Sequence, residues 1–307
     1  MTHFVQTITG NVDVEDVGLT LPHEHILVDF IGADQSGSHR YERNEVVRCM
    51  RPSLDEIVAL GVRTFVECTP MYLARDVHVL RALSKATSLR IVTNTGQYKE
   101  PFLPRETLEA TPEKLADGWI SEYESGIDGT ECKPGFIKTA VFPEPLAEVQ
   151  RTVISAAAIA SSATGLPIAT HTGVAVAANE ILYILESYGV DPERWIFVHA
   201  QNESDLDELR AIARRGAWIE LDGLSAASEE LHIRSLLSLL EAGYEDKVLL
   251  SHDSGWYRVG EPAGGEINGY TFLFDSFIPR MRAAGITAET IQEICARNPG
   301  HAFSIRE

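Results

Sequence analysis

Paired cysteines are missing from this sequence. Its four thiols, Cys49, Cys68, Cys132 and Cys295, are scattered over 307 residues with no Cys-x-x-Cys among them. Few, dispersed thiols in a long chain fit a reduced, intracellular protein better than a disulfide scaffold. Long apolar runs are missing too: none approaches the ~18 residues that a membrane span needs. The opening MTHFVQTITG lacks the basic stretch and apolar core of a secretory signal. A cytoplasmic protein is expected. Positive charge is scarce, with 26 Lys and Arg against 45 Asp and Glu and a net charge of −19. That argues against nucleic acid or an anionic membrane as partner, and the surplus acid reads as a solvated surface. No internal repeat, low-complexity tract or linker breaks the chain, so residues 1–307 read as one domain.

What is present is alternation. Apolar runs of strand length lie at Gly18–His23, Val62–Glu67, Leu89–Asn94, Pro134–Lys138, Leu166–His171, Trp195–His199, Ala217–Asp222 and Lys247–Asp253. Helical patterns lie between them at Asp76–Ala86, Thr111–Ser125, Leu146–Thr164, Ala177–Tyr188, Ser204–Arg214 and Glu229–Ala242. Ser53-Leu54-Asp55-Glu56 reads as a capping box opening another helix, and Ala288–Ala296 is the last. Gly126, Gly165, Gly189, Gly216 and Gly243 stand where helix ends need φ > 0. Eight such units predict an α/β fold, a single (β/α)8 TIM barrel over residues 18–307 with C-terminal helices. Residues 1–17 precede it, with Val5–Val17 (QTITG-NV-DVEDV) read as an N-terminal β-hairpin covering the barrel bottom. An open doubly wound sheet would carry a G-x-G-x-x-G loop after its first strand; His23-Glu24-His25 stands there instead.

Polar residues gather at the C-terminal strand ends, where barrel enzymes place their chemistry. Strand one ends in His23-x-His25, strand four in Lys138, strand five in His171, strand six in His199 and strand eight in Asp253. Residues i and i+2 on a strand share a face, so His23 and His25 can meet one ion. Imidazole and carboxylate together suit zinc, manganese, iron or cobalt. Histidines 3, 39, 78, 232 and 301 fall in no such pattern and read as ordinary structural residues. His252 reads either as a support for the site or as wall packing. Lys138 admits three readings. Carboxylated by CO2 it becomes an anion able to bridge two cations; as a free amine it is a Schiff-base nucleophile; or it binds a phosphate.

Thr20-Leu21-Pro22-His23-Glu24-His25-Ile26, Phe136-Ile137-Lys138, Thr170-His171-Thr172, Val198-His199, Ser251-His252-Asp253 and Asn298-Pro299 together resemble the phosphotriesterase family of the amidohydrolase superfamily. Gly126–Thr130 and Asn94-Thr95-Gly96-x-Tyr98 are similar to family segments as well. The resemblance spans nearly the whole chain in order. It implies two divalent ions, zinc first among them: His23, His25 and Asp253 on the buried ion, His171 and His199 on the more exposed one. Carboxylated Lys138 and a hydroxide would bridge the two. It also implies a homodimer. Ala200-Gln201-Asn202 and the loop Ser254–Gly260 depart from the paraoxon-cleaving members, which bears on substrate.

The expected reaction is hydrolysis of a lactone or carboxylic ester, with phosphotriester cleavage as a side activity. Asp253 would shuttle the proton and Tyr98 would donate to the substrate oxygen. Further substrate-binding candidates are Trp256 and Tyr257, which read either as walls of an apolar pocket or as packed loop residues, and Arg258, which reads as a partner for an anionic substrate group or, in preference, as a surface salt bridge; Lys99 and Asp222 are weaker ones. An amide hydrolase for an N-acylated small molecule is the alternative. An aldolase using Lys138 and a metal-bearing protein without turnover are more remote ones.

Overall fold

The computed structural model describes residues 3–306. Its strands are β1 (His3–Thr7), β2 (Gly10–Asp13), β3 (Thr20–Glu24), β4 (Leu27–Val28), β5 (Thr64–Glu67), β6 (Arg90–Val92), β7 (Asn94–Thr95), β8 (Phe136–Ala140), β9 (Ile168–His171), β10 (Trp195–Val198), β11 (Trp218–Leu221), β12 (Val248–Leu250), β13 (Tyr257–Arg258) and β14 (Ile305–Arg306). The helices are α1 (Arg43–Ala59), α2 (Val77–Thr87), α3 (Arg105–Leu108), α4 (Pro112–Ser125), α5 (Glu148–Thr164), α6 (Ala175–Ser187), α7 (Leu206–Arg214), α8 (Glu229–Glu241), α9 (Ile278–Ala283), α10 (Ala288–Gln292) and α11 (Asn298–Ala302). The protein is α/β. β3, β5 and β6 form one parallel sheet, and β7 to β12 form a second parallel sheet in chain order.

Thr93 alone separates β6 from β7, so one sheet runs on from the other at that residue. At the opposite seam no ladder joins β12 to β3 among the described residues. Side chains hold it instead. Glu24, fully buried, accepts from Ser251 Oγ (2.8 Å), from His252 N (3.0 Å) and Nδ1 (2.6 Å), and from Ser254 N (2.8 Å). Asp253 N adds a bond to His23 O at 3.1 Å.

Two apolar layers follow from strand alternation. Inward residues of both sheets, among them Val66, Val92, Phe136, Ala169, Ile196, Val198, Trp218 and Leu249, share one core with Val5, Val17 and Phe303. Their neighbours, such as Phe65, Ile137, Ile168, Phe197 and Ile219, pack outward against the helices. β1 and β2 pair antiparallel, Phe4 opposite Asp13, and β14 adds a third strand beside β1. Ile8 N reaches Ile91 O at 2.9 Å, which sets this small sheet against the N-terminal strand ends. The approach is close: a Cβ on Gly135 would lie 2.4 Å from Gln6 O. Val14–Asp16 is a short 3₁₀ turn capped by Asp13, not a continuation of the hairpin toward Val17.

Other boundaries shift for identifiable reasons. Ser53 does not open a helix. α1 begins ten residues earlier, because Val46, Met50, Leu54 and Ile57 make one buried stripe through that position. The C-terminal helix read as Ala288–Ala296 is α10, a π turn at Glu293–Arg297 and α11. Asn298 Nδ2 ties this segment to Glu245 O and Val248 O, both at 2.8 Å. No helix among the described residues is long and apolar enough to cross a membrane.

Candidate metal centre

Alternation delivers most of the site. Phe136 faces the inner core, so Lys138 does as well, and His171 follows Ala169 in the same way. On the last strands Glu220 and Asp222 follow Trp218, and Asp253 follows Leu249 and Ser251. Two residues need a break in the rule. β3 shifts register against β5 between Leu21 and Glu24, so Leu21 packs outward while His23 enters the cleft. His199 comes after the inward Val198, and its left-handed φ of +61° swings the imidazole back. Asp253 (φ +54°) and Trp256 (φ +69°) are also left-handed. Such backbone costs roughly 1–3 kcal/mol per non-glycine residue, and its clustering at one rim is characteristic of functional sites.

The six expected ligands meet. His25 Nε2 lies 2.9 Å from Asp253 Oδ1, and His23 Nε2 lies 3.6 Å from the same oxygen. Lys138 Nζ is 3.4 Å from His23 Nε2. On the other side His199 Nε2 and His171 Nδ1 converge at 2.7 Å. Behind the rings stands a layer of acceptors. His23 Nδ1 meets Glu220 Oε2 (2.8 Å), His25 Nδ1 meets Thr69 Oγ1 (2.8 Å), and His199 Nδ1 meets Asp222 Oδ1. A carboxylate behind an imidazole fixes the proton on the rear nitrogen and leaves the front lone pair free for a cation. Asp222 also accepts from Gln201 Nε2 (3.0 Å) and from the His199 amide (3.0 Å).

Electrostatics agree with a cation site. Burial, with Lys138 and the neighbouring histidines, holds His23 well below the usual imidazole range. His171 is lowered by burial, by His199 and by Lys99. Both shifts favour the neutral imidazole, the form able to bind a cation. Burial raises the Asp253 carboxyl, but the hydrogen bond and charge of His25 outweigh it, and the net shift is downward. Glu220 moves well upward through burial and the adjacent Asp222. Lys138 is almost wholly buried, with no carboxylate within 4.0 Å of its Nζ among the described residues. An isolated buried ammonium is costly. The donor set therefore fits divalent cations, and groups of histidine and aspartate able to hold one are present at His23, His25 and Asp253.

These groups floor a cleft of ≈ 70 Å³ whose walls include Val28, Phe30, Pro70, Leu73, Tyr98 and Trp256. Tyr98 OH sits 3.0 Å from His171 Nδ1. Trp256 lies 4.8 Å from the His25 ring and stacks on Phe30 at 5.6 Å. Tyr257 and Arg258 correct the sequence reading, because neither lines the cleft. Past Trp256 the chain pairs with β4; the Tyr257 ring is buried against Gly264, and Arg258 Nη1 donates to Glu266 O at 2.8 Å. Lys99 donates to Val141 O at 3.0 Å. His252 bridges Glu24 and the Leu273 amide, which places it in the seam. Sequence reasoning missed Glu220, Thr69 and the seam role of Glu24. For Glu220 a signal existed, since two acids at i and i+2 in an otherwise apolar strand are costly unless partnered.

Parallel strands that present clustered imidazoles and a buried lysine beside a cleft define an enzyme site of hydrolase type. Residues 3–303 match the model of the Phosphotriesterase family. An aryldialkylphosphatase from Saccharolobus solfataricus is 32% identical over 305 residues, covering 96% of this chain and 97% of that protein. The phosphotriesterase homology protein of Escherichia coli is 29% identical over 293 residues, 94% of this chain and 99% of that one. The N-acetyltaurine hydrolase of Mus musculus is 28% identical over 337 aligned positions, with 96% of each chain covered. The chain belongs to the phosphotriesterase family, and with it to the hydrolases.

Proposed function

We propose that this protein hydrolyses an uncharged lactone or carboxylic ester with two divalent ions held by His23, His25, Lys138, His171, His199 and Asp253. The observation that carries the substrate class is the cleft wall. Apart from Tyr98 and Thr69, the groups above the ligands are apolar: Val28, Phe30, Pro70, Leu73 and Trp256. With Arg258 turned away and Lys99 bonded to Val141 O, no cationic side chain beyond the ligand set lines the cleft among the described residues. An anionic head would lose its hydration there without gaining a partner.

The ions, zinc for preference among the zinc, manganese, iron or cobalt that the ligands admit, would supply hydroxide at neutral pH and polarise the scissile carbonyl. Lys138, on losing a proton to solvent, would add CO2 at Nζ and release a second proton, which would replace a buried ammonium by a carbamate anion able to help hold the ions. Tyr98 OH donates to the substrate oxygen. Asp253 takes up the proton released on attack and, holding it weakly, passes it to solvent. Phosphotriester cleavage is a side activity of the same cleft. The frame is a closed (β/α)8 barrel in one domain spanning residues 1–307, supported by the shared inner core of the two sheets. We further propose a cytoplasmic homodimer that binds neither nucleic acid nor membrane.

A second reading has its own support. Relatives include proteins named N-acetyltaurine hydrolase, so amide hydrolysis of an N-acylated small molecule is the alternative. One assay separates the two. The zinc- or manganese-loaded protein is offered lactones, simple esters, N-acyl amino acids and one phosphotriester, with proton release read by a pH indicator. Selective lactone or ester turnover is expected. Turnover confined to N-acyl amino acids moves the function to amide hydrolysis. Borohydride trapping of Lys138 on a carbonyl substrate, with activity surviving a chelator, would replace both readings by a Schiff-base enzyme.

A further inference from the structure

The two sides of the centre share one carboxylate. Asp222, fully buried, presents Oδ1 to His199 Nδ1 and Oδ2 to His23 Nδ1 at 3.4 Å. Its remaining capacity is taken by the His199 amide on Oδ2 (3.0 Å) and Gln201 Nε2 on Oδ1 (3.0 Å), while Gln201 Oε1 accepts the Asp222 amide at 3.1 Å. The Nδ1–H of His23 goes to Glu220 Oε2 at 2.8 Å, so Asp222 stands beside that N–H as a charge and meets His199 Nδ1 as a hydrogen-bond partner. Glu220, two residues earlier on the same strand face, hydrogen-bonds His23 and no other side chain among the described residues.

We propose that Asp222 is a positioning residue that couples the two metal sites: it hydrogen-bonds Nδ1 of His199 and, beside Glu220, attracts the Nδ1–H of His23, so that both rings keep the tautomer whose Nε2 lone pair faces the cleft. The inference rests on the metal-centre reading above. Its physical basis is that a single carboxylate cannot move toward one ring without leaving the other. Ring angle and proton position on the two sides are therefore fixed together, with Gln201 closing the cradle. Glu220 supports one side only.

The test is metal binding by the metal-free protein, measured by zinc competition with a chromophoric chelator. Wild type should bind two ions per chain. Asp222→Asn keeps the shape of the side chain but turns an N–H toward N–H donors on one edge. It should weaken both sites, by about 10–100-fold. Glu220→Gln should weaken one site. Two ions bound by Asp222→Asn with wild-type affinity, or loss at a single site, overturns the coupling. A wild-type chain that binds no zinc instead overturns the metal-centre reading beneath it. Thermal unfolding of the metal-free variants checks that they fold. Should Asp222→Asn fail to fold, imidazole 15N spectra of the metal-free wild type at pH 8 still decide: Nδ1–H tautomers at both His23 and His199 are expected, and an Nε2–H tautomer at either one refutes the proposal.

Discussion

The deep and open sides of the centre are built differently. On the deep side His23 is backed by Glu220, His25 by Thr69, and Asp253 braces His25 from the front. On the open side only His199 has a carboxylate behind it. The bonds of the His171 ring are to Tyr98 OH and His199 Nε2, and the charge nearest to it outside the ligand set is the cation of Lys99. Each side has one histidine backed by a carboxylate; of the other two, His25 is backed by a hydroxyl, whereas His171 has an amine nearby. Rear acceptors raise imidazole basicity and fix ring orientation, so the deep ion should be held tightly and the open one should exchange.

The largest effect should come from the residue common to both sides. Lys138→Ala should remove both ions and lower kcat/KM by about 10³-fold or more, since groups acting as one unit fail together. A short carboxylic acid should restore part of the loss by replacing the missing carboxylate. His171→Ala should retain one ion per chain after dialysis, and His25→Ala should retain less metal than His171→Ala does. Metal content measured by mass spectrometry checks the order. Equal loss from both variants would erase the distinction between the sides, and full activity in Lys138→Ala would remove the two-ion reading altogether.

The proposed ligand positions were legible from the sequence because strand ends and alternation are properties of spacing; Lys138, His171 and Asp253 obey them, while His23 reaches the cleft through the register shift in β3. The layer behind them was less so. Glu24 sits between two ligand histidines and reads as one more polar residue at a strand end. Its role depends on Ser251, His252 and Ser254, more than 220 residues away. Tyr257 and Arg258 were misplaced because the left-handed turn at Trp256 ends the loop's run along the cleft, and no spacing rule announces that turn. The same applies to α1, whose start is set by burial of Val46 and not by the local capping signal at Ser53.

Effects on substrate choice should be smaller than effects on the ions. Trp256 covers His25 and stacks on Phe30, so it belongs to the deep side but touches no rear acceptor. Trp256→Ala should raise KM for an apolar ester by about tenfold while leaving kcat and metal content near wild type, in the range expected for lost apolar contact. A fall in metal content instead would make Trp256 part of the ligand support, through its bond from Nε1 to Asp253 O.

The smallest effect tests the cation behind the open side. Burial, with the charge of Lys138 second, brings the Lys99 pKa down to about 8. The folded value lies below the ~10.5 of an unfolded lysine, so folding disfavours the protonated form. That penalty is complete below pH 8 and fades as the pH rises from 8 to about 10.5, where the unfolded chain also loses the proton. Lys99→Met abolishes the penalty at every pH and gives up the bond to Val141 O at every pH. Only the first loss varies with pH. The Tm of Lys99→Met relative to wild type, both metal-free, should therefore be highest near pH 7.5 and decline toward pH 10.5, by on the order of a degree or two. Tyrosines that titrate in the same range cancel in the difference. A Tm difference that stays flat would mean that Lys99 titrates as it does in water. His171 would then be solvated from behind, and its contrast with the three backed histidines would rest on the missing acceptor alone.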